Sequence, residues 1–545
     1  MRRNKEYLPT SRSGAVNSLY LFAGIVLLVL VGLGWVLVDM GAVQAKRGDE
    51  LFMYCAAGMR VPIEKIVADY EREFGVPVRV TYDGSNTLLS AITAHQKGDL
   101  YLAADDLYIK QAQDTGLVQE MLPLATMRPV IAVAKGNPKN IQSLDDLFRD
   151  GVKTALGNPE QAAVGKMTKK LLTDSGHWEK IEARVTETGV FEPTVPAVAN
   201  AVKVGAIDAG VIWDTTAKIF PGLDYVAVPE LDPGASDVTL GVLTSSNQPT
   251  AALHFARYVA ARDKGLPVFS EGGWEVVEGD VWADRPELTF YCGSVNRRAV
   301  EPVLEAFQKR EGVVVNTVYN GCGILTGQMQ TIVDQDQGKG FPDTYMACDV
   351  YYLDTVKEMF QDAVNVSDTE VVIAVQKGNP KNITSLQDLT KPGMRVSVGQ
   401  PKQCTIGVLT KQLLEQEGVY EGVMDNVVTQ TTTSALLVPT VATGSLDAAL
   451  AYATDTLAEG DKIDVVRIKS PAGKAVQPFS IARSSNQKYL SRRLYTAISQ
   501  SKDEFEEAGF HWRLDDVTGI EGADRLPGSQ GTDFLDSPAT ISSPK

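Results

Sequence analysis

Short runs of β-branched residues alternate along the chain with segments whose apolar residues recur every three or four positions. The clearest such segment places Ile63, Ile66, Tyr70 and Phe74 on one helical face. The pattern predicts a strand, a helix, a strand, a helix and a strand over Glu50–Cys55, Pro62–Phe74, Val76–Tyr82, Thr87–Lys97 and Asp99–Ala104. Such alternation is typical of α/β folds, and we expect parallel sheets with helices on both faces.

The same pattern occurs twice. Residues 135–147 recur as residues 377–389, with eleven of thirteen positions identical. Matching stretches continue on both sides, so the sequence divides into copy one, residues 48–283, and copy two, residues 287–516. Each copy is long enough for two α/β lobes. The Arg128-Pro129 pair at the start of an apolar run marks the segment that crosses between them.

The N-terminal region differs in composition from both copies. Residues 19–38 contain no charged residue, and a run of this length can cross a bilayer as a helix. Four basic residues precede it against one acidic residue, which predicts that residues 1–18 are cytoplasmic. The alternative is a cleaved signal peptide, because Val43–Ala45 has small residues suited to cleavage. The length of the apolar run favours a single-pass anchor in the inner (cytoplasmic) membrane, with the bulk of the chain extracytoplasmic.

Composition excludes several classes of function. The chain is 44% apolar and 22% charged, as expected of a globular protein, and its net charge is −16. No basic run interleaves with aromatic residues, which argues against nucleic-acid binding. The four histidines lack ligand spacing, and the sequence has no nucleophile elbow, Walker loop or dinucleotide fingerprint. We therefore predict no catalytic residue and no cofactor. Residues 517–545, rich in Ser, Pro, Gly and Asp, are predicted to be disordered.

Glycine and serine recur where strands lead into helices. The junctions with these residues are Cys55–Arg60, Asp83–Asn86 and Gly157–Gly165 in copy one, and Tyr291–Arg297, Asn320–Gly323 and Gly399–Gly407 in copy two. Ligands of open α/β sheets bind at such edges, where helix N-termini offer free N–H groups and a partial positive charge. We therefore expect a cleft suited to an anion in each copy.

The motifs at these junctions resemble those of the molybdate-binding proteins of bacterial ABC importers. The resemblance rests on Cys55–Met59, Gly84–Leu88, Gly98–Asp105, Ala163–Gly165 and Gly210–Ala217 in copy one, and on Ala449–Asp455 in copy two. It covers nearly all of both copies. It implies two tandem type II periplasmic-binding-protein-like domains, each of two α/β lobes with a ligand cleft, preceded by one transmembrane helix. It also implies closure on a tetrahedral oxyanion such as molybdate or tungstate, without catalysis.

The resemblance further implies which residues contact the ligand. The family's contact positions fall at Gly58, Ser85, Val164, Val195 and Trp213 in copy one, and at Ser294, Cys322, Ile406, Ser434 and Tyr452 in copy two. Neither copy keeps every hydroxyl, because Gly58 and Trp213 replace a serine and a tyrosine, and Cys322 replaces a serine. Each charge-assisted hydrogen bond contributes about 1.5–3 kcal/mol, so we expect weakened binding of molybdate itself.

Two arginines follow the first junction, Arg60 in copy one and Arg297 in copy two. If they point into the cleft, they supply charge for a carboxylate or phosphate and are ligand residues. The alternative, which we favour, is a solvent-facing helix start.

Four of the five cysteines lie in copy two. Cys322 and Cys404 fall in cleft loops, and Cys348 falls at a strand end near them. Three alternatives are open: inert buried thiols, a disulfide formed in an oxidising compartment, or a thiolate site for a metal or metalloid. Cys55 and Cys292 occupy matching strand positions and are expected in the core.

The resemblance implies an extracytoplasmic solute-binding protein of an ABC importer. Its partners would be a small oxyanion, the permease and its ATPase, and the membrane through the N-terminal helix. The alternative is a ligand-sensing or scaffold protein with degenerate clefts and a protein partner. An enzyme that uses the cysteines of copy two is the least favoured hypothesis.

Overall fold

A computed structural model of the chain describes residues 50–336 and 339–514. The predicted membrane span 19–38, the predicted cytoplasmic segment 1–18 and the predicted disordered tail 517–545 lie outside these residues. Within the two described ranges, every helix is too short or too polar to cross a bilayer.

Copy one folds into two sheets, one in each lobe. Its strands are β1 (Leu51–Ala56), β2 (Val78–Asp83), β3 (Leu100–Leu102), β4 (Val118–Met127), β5 (Pro129–Ala134), β6 (Thr154–Gly157), β7 (Val190–Glu192), β8 (Ala209–Trp213), β9 (Leu223–Val226), β10 (Ser236–Leu243) and β11 (Glu275–Val276). The first lobe has the strand order β11-β4-β10-β3-β1-β2, and the second has β7-β6-β8-β5-β9.

Amphipathic helices cover these sheets. In copy one they are α1 (Arg60–Phe74), α2 (Ser85–His95), α3 (Asp106–Asp114), α4 (Ala163–Asp174), α5 (Trp178–Thr188), α6 (Val195–Lys203), α7 (Asp214–Ile219), α8 (Pro249–Val259) and α9 (Gly265–Glu271). The predicted face of α1 is buried, with Ile63, Ile66, Tyr70 and Phe74 in the core. The helix ends at Gly75, whose φ of 68° suits the left-handed cap that glycine favours.

Copy two repeats this architecture. Its strands are β12 (Glu287–Gly293), β13 (Val314–Asn320), β14 (Thr344–Met346), β15 (Phe360–Gln376), β16 (Val396–Gly399), β17 (Val427–Thr431), β18 (Ala448–Tyr452), β19 (Ile463–Arg467), β20 (Lys474–Ala482) and β21 (His511–Trp512). Its helices are α10 (Arg297–Glu311), α11 (Cys322–Asp336), α12 (Val350–Asp354), α13 (Thr405–Gln416), α14 (Tyr420–Met424), α15 (Leu437–Ala442), α16 (Ala453–Thr456), α17 (Lys488–Ser499) and α18 (Lys502–Glu507). The strand order is β13-β12-β14-β20-β15-β18-β16-β17, and both β19 and β21 pair with β15.

The sheets are mixed, so the expectation of parallel sheets is only partly correct. β1 is parallel to β2 and β3, but β10 is antiparallel to β3 and β4. The chain leaves the first lobe along β4 and returns along β10, and these two strands therefore run in opposite directions. The predicted crossing is confirmed, because Arg128 lies between β4 and β5. In copy two the equivalent β15 continues through both lobes, and Val371 has the backbone N–H that Pro129 lacks.

Buried ion pairs join the two copies. Glu311 of α10 is 2% exposed and accepts hydrogen bonds from Arg257 of copy one and Arg493 of copy two, with N–O distances of 3.0 and 2.6 Å. Glu120 of copy one pairs with Arg310 of copy two at 2.5 Å. Asp280, near the end of copy one, accepts the backbone N–H groups of residues 489 and 490 at the start of α17. The copies therefore pack with a defined contact.

Candidate functional site

The predicted junctions of copy one meet across the two lobes. The backbone N–H of Asn86 donates to the carbonyl of Gln161 at 3.2 Å, and its side-chain amide donates to the carbonyl of Glu160 at 2.7 Å. A Cβ at Gly84 would lie 2.4 Å from the carbonyl oxygen of Gln161 and 2.9 Å from that of Pro193. Only glycine allows this approach, so the cleft of copy one is closed.

Copy two closes in the same way. The N–H of Ile324 donates to the carbonyl of Gln403 at 3.3 Å, and the hydroxyl of Tyr352 donates to the carbonyl of Pro401 at 2.8 Å. A Cβ at Gly321 would lie 2.4 Å from the carbonyl oxygen of Thr432.

The backbone N–H positions of the predicted site lie at helix N-termini. Val164 is the second residue of α4, and Val195 is the first residue of α6. In copy two, Ile406 is the second residue of α13, and Ser434 begins a short 3₁₀ helix. The first-turn N–H groups of a helix have no partner within it, which makes these positions suited to an anion.

The side chains of copy one lie close to these turns. Ser85 begins α2, is buried, and its hydroxyl accepts the backbone N–H of Ala104 at 3.1 Å. Gly58 is buried in the 3₁₀ helix before α1, where a Cβ would lie 3.8 Å from Oγ1 of Thr216. Thr216 was missed by the sequence argument, although it lies inside the Gly210–Ala217 motif.

Several buried polar atoms of copy one lack a partner in the described ranges, and two of them belong to the Gly210–Ala217 motif. These two are the indole Nε1 of Trp213, which is fully buried, and Oγ1 of Thr216, which is 1% exposed. Leaving such groups unpaired costs free energy, so they are candidates for bonds to a ligand. The indole nitrogen is a donor only, and it occupies the position at which copy two has Tyr452.

The thiols of copy two form a close pair in place of the serine of copy one. Cys322 begins α11, and its Sγ accepts the backbone N–H of Cys348 at 3.0 Å. The sulfurs of Cys322 and Cys348 are themselves in contact, 2.8 Å apart. All five cysteines are free, so the structure contains no disulfide between them. In the described ranges no three histidine, cysteine or carboxylate side chains are grouped to hold a metal, so the three-cysteine metal site with Cys404 is not supported.

The pKa values of the two thiols are shifted in opposite directions. Burial alone raises the pKa of the Cys322 thiol, but the neighbouring Cys348 and the hydroxyls of Tyr345 and Thr405 together hold that pKa below its ordinary value. The bond to Cys322, together with burial, raises the pKa of the Cys348 thiol. Of the two thiols, Cys322 is therefore the more acidic.

Tyr452 closes β18 of copy two as a fully buried side chain. Its hydroxyl has no partner among the residues that the structure describes. Burial is the largest cause that raises the pKa of this hydroxyl, and negative charge on Cys348, Asp349 or Cys322 raises it further. Ser434 faces Asp455, whose pKa burial raises to about 6 while the serine hydroxyl partly opposes the shift. Ser294 begins the 3₁₀ helix before α10 and is partly buried.

The two arginines lie on the surface. Their side chains are 54% and 60% exposed for Arg60 and Arg297, and they pair with Glu64 and Glu301 in the next helical turn. Each guanidinium also lies over a tyrosine ring of the neighbouring strand. Neither arginine joins the buried loops, which agrees with the interpretation of a solvent-facing helix start.

Comparison with known proteins gives matches in both copies. The family described as bacterial extracellular solute-binding protein matches residues 51–275 and 288–511. A binding protein of Haemophilus influenzae is 28% identical over 226 residues, which is 41% of this chain and 90% of that protein. The molybdate-binding protein ModA of Escherichia coli is 25% identical over 240 residues, 43% of this chain and 88% of that protein.

Among solved structures, the periplasmic molybdate-binding protein of Azotobacter vinelandii aligns at 14% identity and a TM-score of 0.37. That alignment covers 42% of this chain and 100% of the other. The two segments matched by the family fall one in each copy. The chain therefore belongs to the bacterial extracellular solute-binding protein family and carries two molybdate-binding-protein-like units in tandem.

Proposed function

We propose that this chain is a solute-binding protein of an ABC importer and that its copy-one cleft closes on a tetrahedral oxyanion such as molybdate or tungstate. Its working partners are then a permease and its ATPase. Residues 19–38 hold it at the inner membrane, where tethering raises its effective concentration near the permease.

The observation that carries the proposal is the set of buried donors in copy one. Trp213 Nε1 and Thr216 Oγ1 are buried without partners among the described residues, and the Ser85 hydroxyl lies beside the first turn of α2. Two further helix N-termini, at Val164 and Val195, belong to the opposite lobe. A small anion can satisfy several of these groups at once, and burial strengthens each bond. The copy thus keeps a donor at position 213 despite the loss of the tyrosine.

The test is the thermal midpoint of the purified full chain with molybdate, tungstate, sulfate, phosphate or small carboxylates. Ligand at a hundred times its Kd stabilises a protein by about 2.7 kcal/mol, which raises the midpoint of a domain of this size by about 5–10 °C. Stabilisation by molybdate or tungstate is the expected result. If none of these anions raises the midpoint, the transport proposal fails and the sensor or scaffold alternative takes its place.

A matched pair of variants locates the binding site. Trp213→Phe removes the indole donor and is expected to weaken oxyanion binding about 10- to 100-fold, because a charge-assisted hydrogen bond is lost. Trp274→Phe is the control. This tryptophan follows α9 and packs against Phe269 of that helix, and in the described ranges its Nε1 is also buried without a partner. Equal binding by both variants contradicts the role given to Trp213.

A further inference from the structure

Three differences between the copies coincide at one point of the copy-two cleft. Ser85 of copy one is replaced by Cys322, and the alanine at position 104 is replaced by Cys348. Both copies keep the same hydrogen bond, in which the side chain at the start of the helix accepts the backbone N–H at the strand end, at 3.1 and 3.0 Å. The third difference is Gly293, which stands where copy one has Ala56.

Gly293 makes room for the thiol pair. A Cβ at this position would lie 2.3 Å from Sγ of Cys348 and 2.8 Å from Sγ of Cys322. An alanine, as in copy one, is therefore incompatible with the two sulfurs in their observed positions. The same glycine makes room for both sulfurs, so the three differences between the copies occur at one place in the fold.

The predicted ligand positions of copy two also include an unpartnered polar group. The Tyr452 hydroxyl is fully buried and has no hydrogen-bond partner in the described part of the chain. Negative charge on Cys348 or Cys322 raises the pKa of this hydroxyl beyond the effect of burial. A donor or acceptor buried in this way is costly unless a ligand or water meets it.

We propose that the copy-two cleft binds a trivalent thiophilic metalloid hydroxide, with arsenous acid as the simplest member, through the sulfurs of Cys322 and Cys348. Two As–O bonds break and two As–S bonds form, and the thiol protons leave with the hydroxyl groups as two molecules of water. Arsenic stays trivalent, so no oxidant or reductant is needed. The hydroxyl that remains on arsenic is the hydrogen-bond partner of Tyr452.

The number and kind of ligand atoms favour this class. Soft thiolates select soft acceptors, whereas a structural zinc site needs four ligands and this cleft offers two close sulfurs. A trivalent metalloid bound by two sulfurs still keeps its third oxygen. One atom bonded to two sulfurs at about 2.3 Å each holds them roughly 3.5 Å apart, so the observed pair needs to separate only slightly.

The test measures arsenic retained by the reduced full chain after sodium arsenite is added and gel filtration removes the excess. We expect one arsenic per chain. Cys322→Ser and Cys348→Ala introduce the residues of copy one, and each is expected to lower retention at least tenfold. Cys404→Ala is the control, a buried cleft cysteine whose copy-one counterpart is also alanine, and it should retain arsenic. Retention that is absent in the parent, or equal in all variants, or lost in Cys404→Ala overturns the proposal.

A transplant gives an independent readout. The triple variant Ala56→Gly, Ser85→Cys, Ala104→Cys rebuilds the thiol pair in copy one and is expected to retain two arsenic atoms per chain. Gly293→Ala should lower retention even though both thiols remain. If the triple variant folds, by circular dichroism, and retains only one arsenic, the unit does not suffice and the proposal fails.

The inference rests on the proposed function in one respect, that the chain is a solute-binding protein whose clefts hold small ligands. The two can fail separately. Stabilisation by molybdate or tungstate without arsenic retention overturns the thiol site alone. Loss of both responses overturns the proposed function as well.

Discussion

At position 213, the residue type alone wrongly predicts that a hydrogen-bond donor is lost. Tryptophan in place of tyrosine suggests that copy one has lost a hydrogen-bond donor. In the structure the indole nitrogen of Trp213 is buried and unpartnered, so a donor is present. Whether a side chain presents its polar atom to a cleft depends on its rotamer and on the surrounding backbone, which a residue list does not contain.

The sequence alignment of the copies did predict that Ser85 and Cys322 are equivalent, and their shared hydrogen bond confirms it. It did not show that Gly293 belongs with Cys348. These residues are far apart in the sequence, and only the parallel pairing of β12 with β14 brings them together. Contacts of this kind follow from strand register rather than from local pattern.

Asp455 provides a pH-dependent prediction. Burial raises its pKa from 3.8 to about 6, so the folded chain keeps this proton at a pH where the unfolded chain has lost it. Its effect on stability is therefore absent below pH 4, grows as a penalty between about pH 4 and 6, and is complete above. Asp455→Asn removes the penalty. We expect the variant to gain at most about 3 kcal/mol over the parent at pH 7 and nothing at pH 4.

The measurement is the unfolding midpoint of both proteins from pH 4 to 7. Asp388→Asn is a control of opposite sign, because hydrogen bonds with Lys391 and Thr384 hold the pKa of Asp388 below its ordinary value. Its contribution is present at neutral pH and is lost on acidification. Parallel pH profiles for Asp455→Asn and the parent would contradict the first prediction.

At the scale of elements, the near-identity of residues 135–147 and 377–389 has a local explanation. Asn137 and Asn379 both have positive φ, 49° and 45°. Each side chain makes two hydrogen bonds with the backbone of the isoleucine four residues on, at 2.7–3.0 Å. An aspartate later in the segment accepts N–H groups in both copies. Residues 135–147 and 377–389 stay alike because the positive φ and the side-chain hydrogen bonds of this segment require particular residues.

This explanation predicts the behaviour of Asn137 variants. Asn137→Ala loses both hydrogen bonds and places an alanine at positive φ, so we expect a loss of about 2–3 kcal/mol. Asn137→Gly loses the bonds but adopts this φ freely, so it should lose only about 1 kcal/mol. Urea midpoints of the two variants measure the difference. Equal urea midpoints for the two variants would show that the positive φ does not account for the asparagine at this position.

The order of strands and helices in the first lobe could be predicted from periodicity alone. β1, α1 and β2 start and end within two residues of the predicted ends. The mixture of parallel and antiparallel strands in each sheet could not be predicted in this way, because strand direction depends on how the chain passes between the lobes. The arginines after the first junctions show a similar limit, since only the exposed positions of Arg60 and Arg297 distinguish a surface residue from a ligand.

At the scale of the whole molecule, Glu311 connects the two copies. Its partners are Arg257 and Arg493, both at most 10% exposed, and the equivalent residue of copy one is the apolar Phe74. This carboxylate is therefore a feature of the contact between copies and not of the repeated fold. A buried charge that loses its partner costs about 3–5 kcal/mol.

Glu311→Gln leaves two buried arginines without a countercharge. We expect it to weaken the contact between the copies by that amount, so that one thermal transition separates into two and the radius of gyration increases in solution scattering. Glu301→Gln is the matched control, because its exposed pair with Arg297 should contribute under about 1 kcal/mol. A single unchanged transition for Glu311→Gln would show that other contacts hold the copies together.

Under the two proposals made above, the unbroken strand β15 affects how long each copy holds its ligand. Opening copy two bends a hydrogen-bonded ribbon at Glu370 and Val371, whereas copy one can turn at Arg128, where Pro129 interrupts the ladder. We expect the continuous strand to open less often at the same temperature, and a ligand leaves only when the lobes part. We therefore expect copy one to exchange its ligand faster than copy two, so that two clefts of one fold differ in residence time.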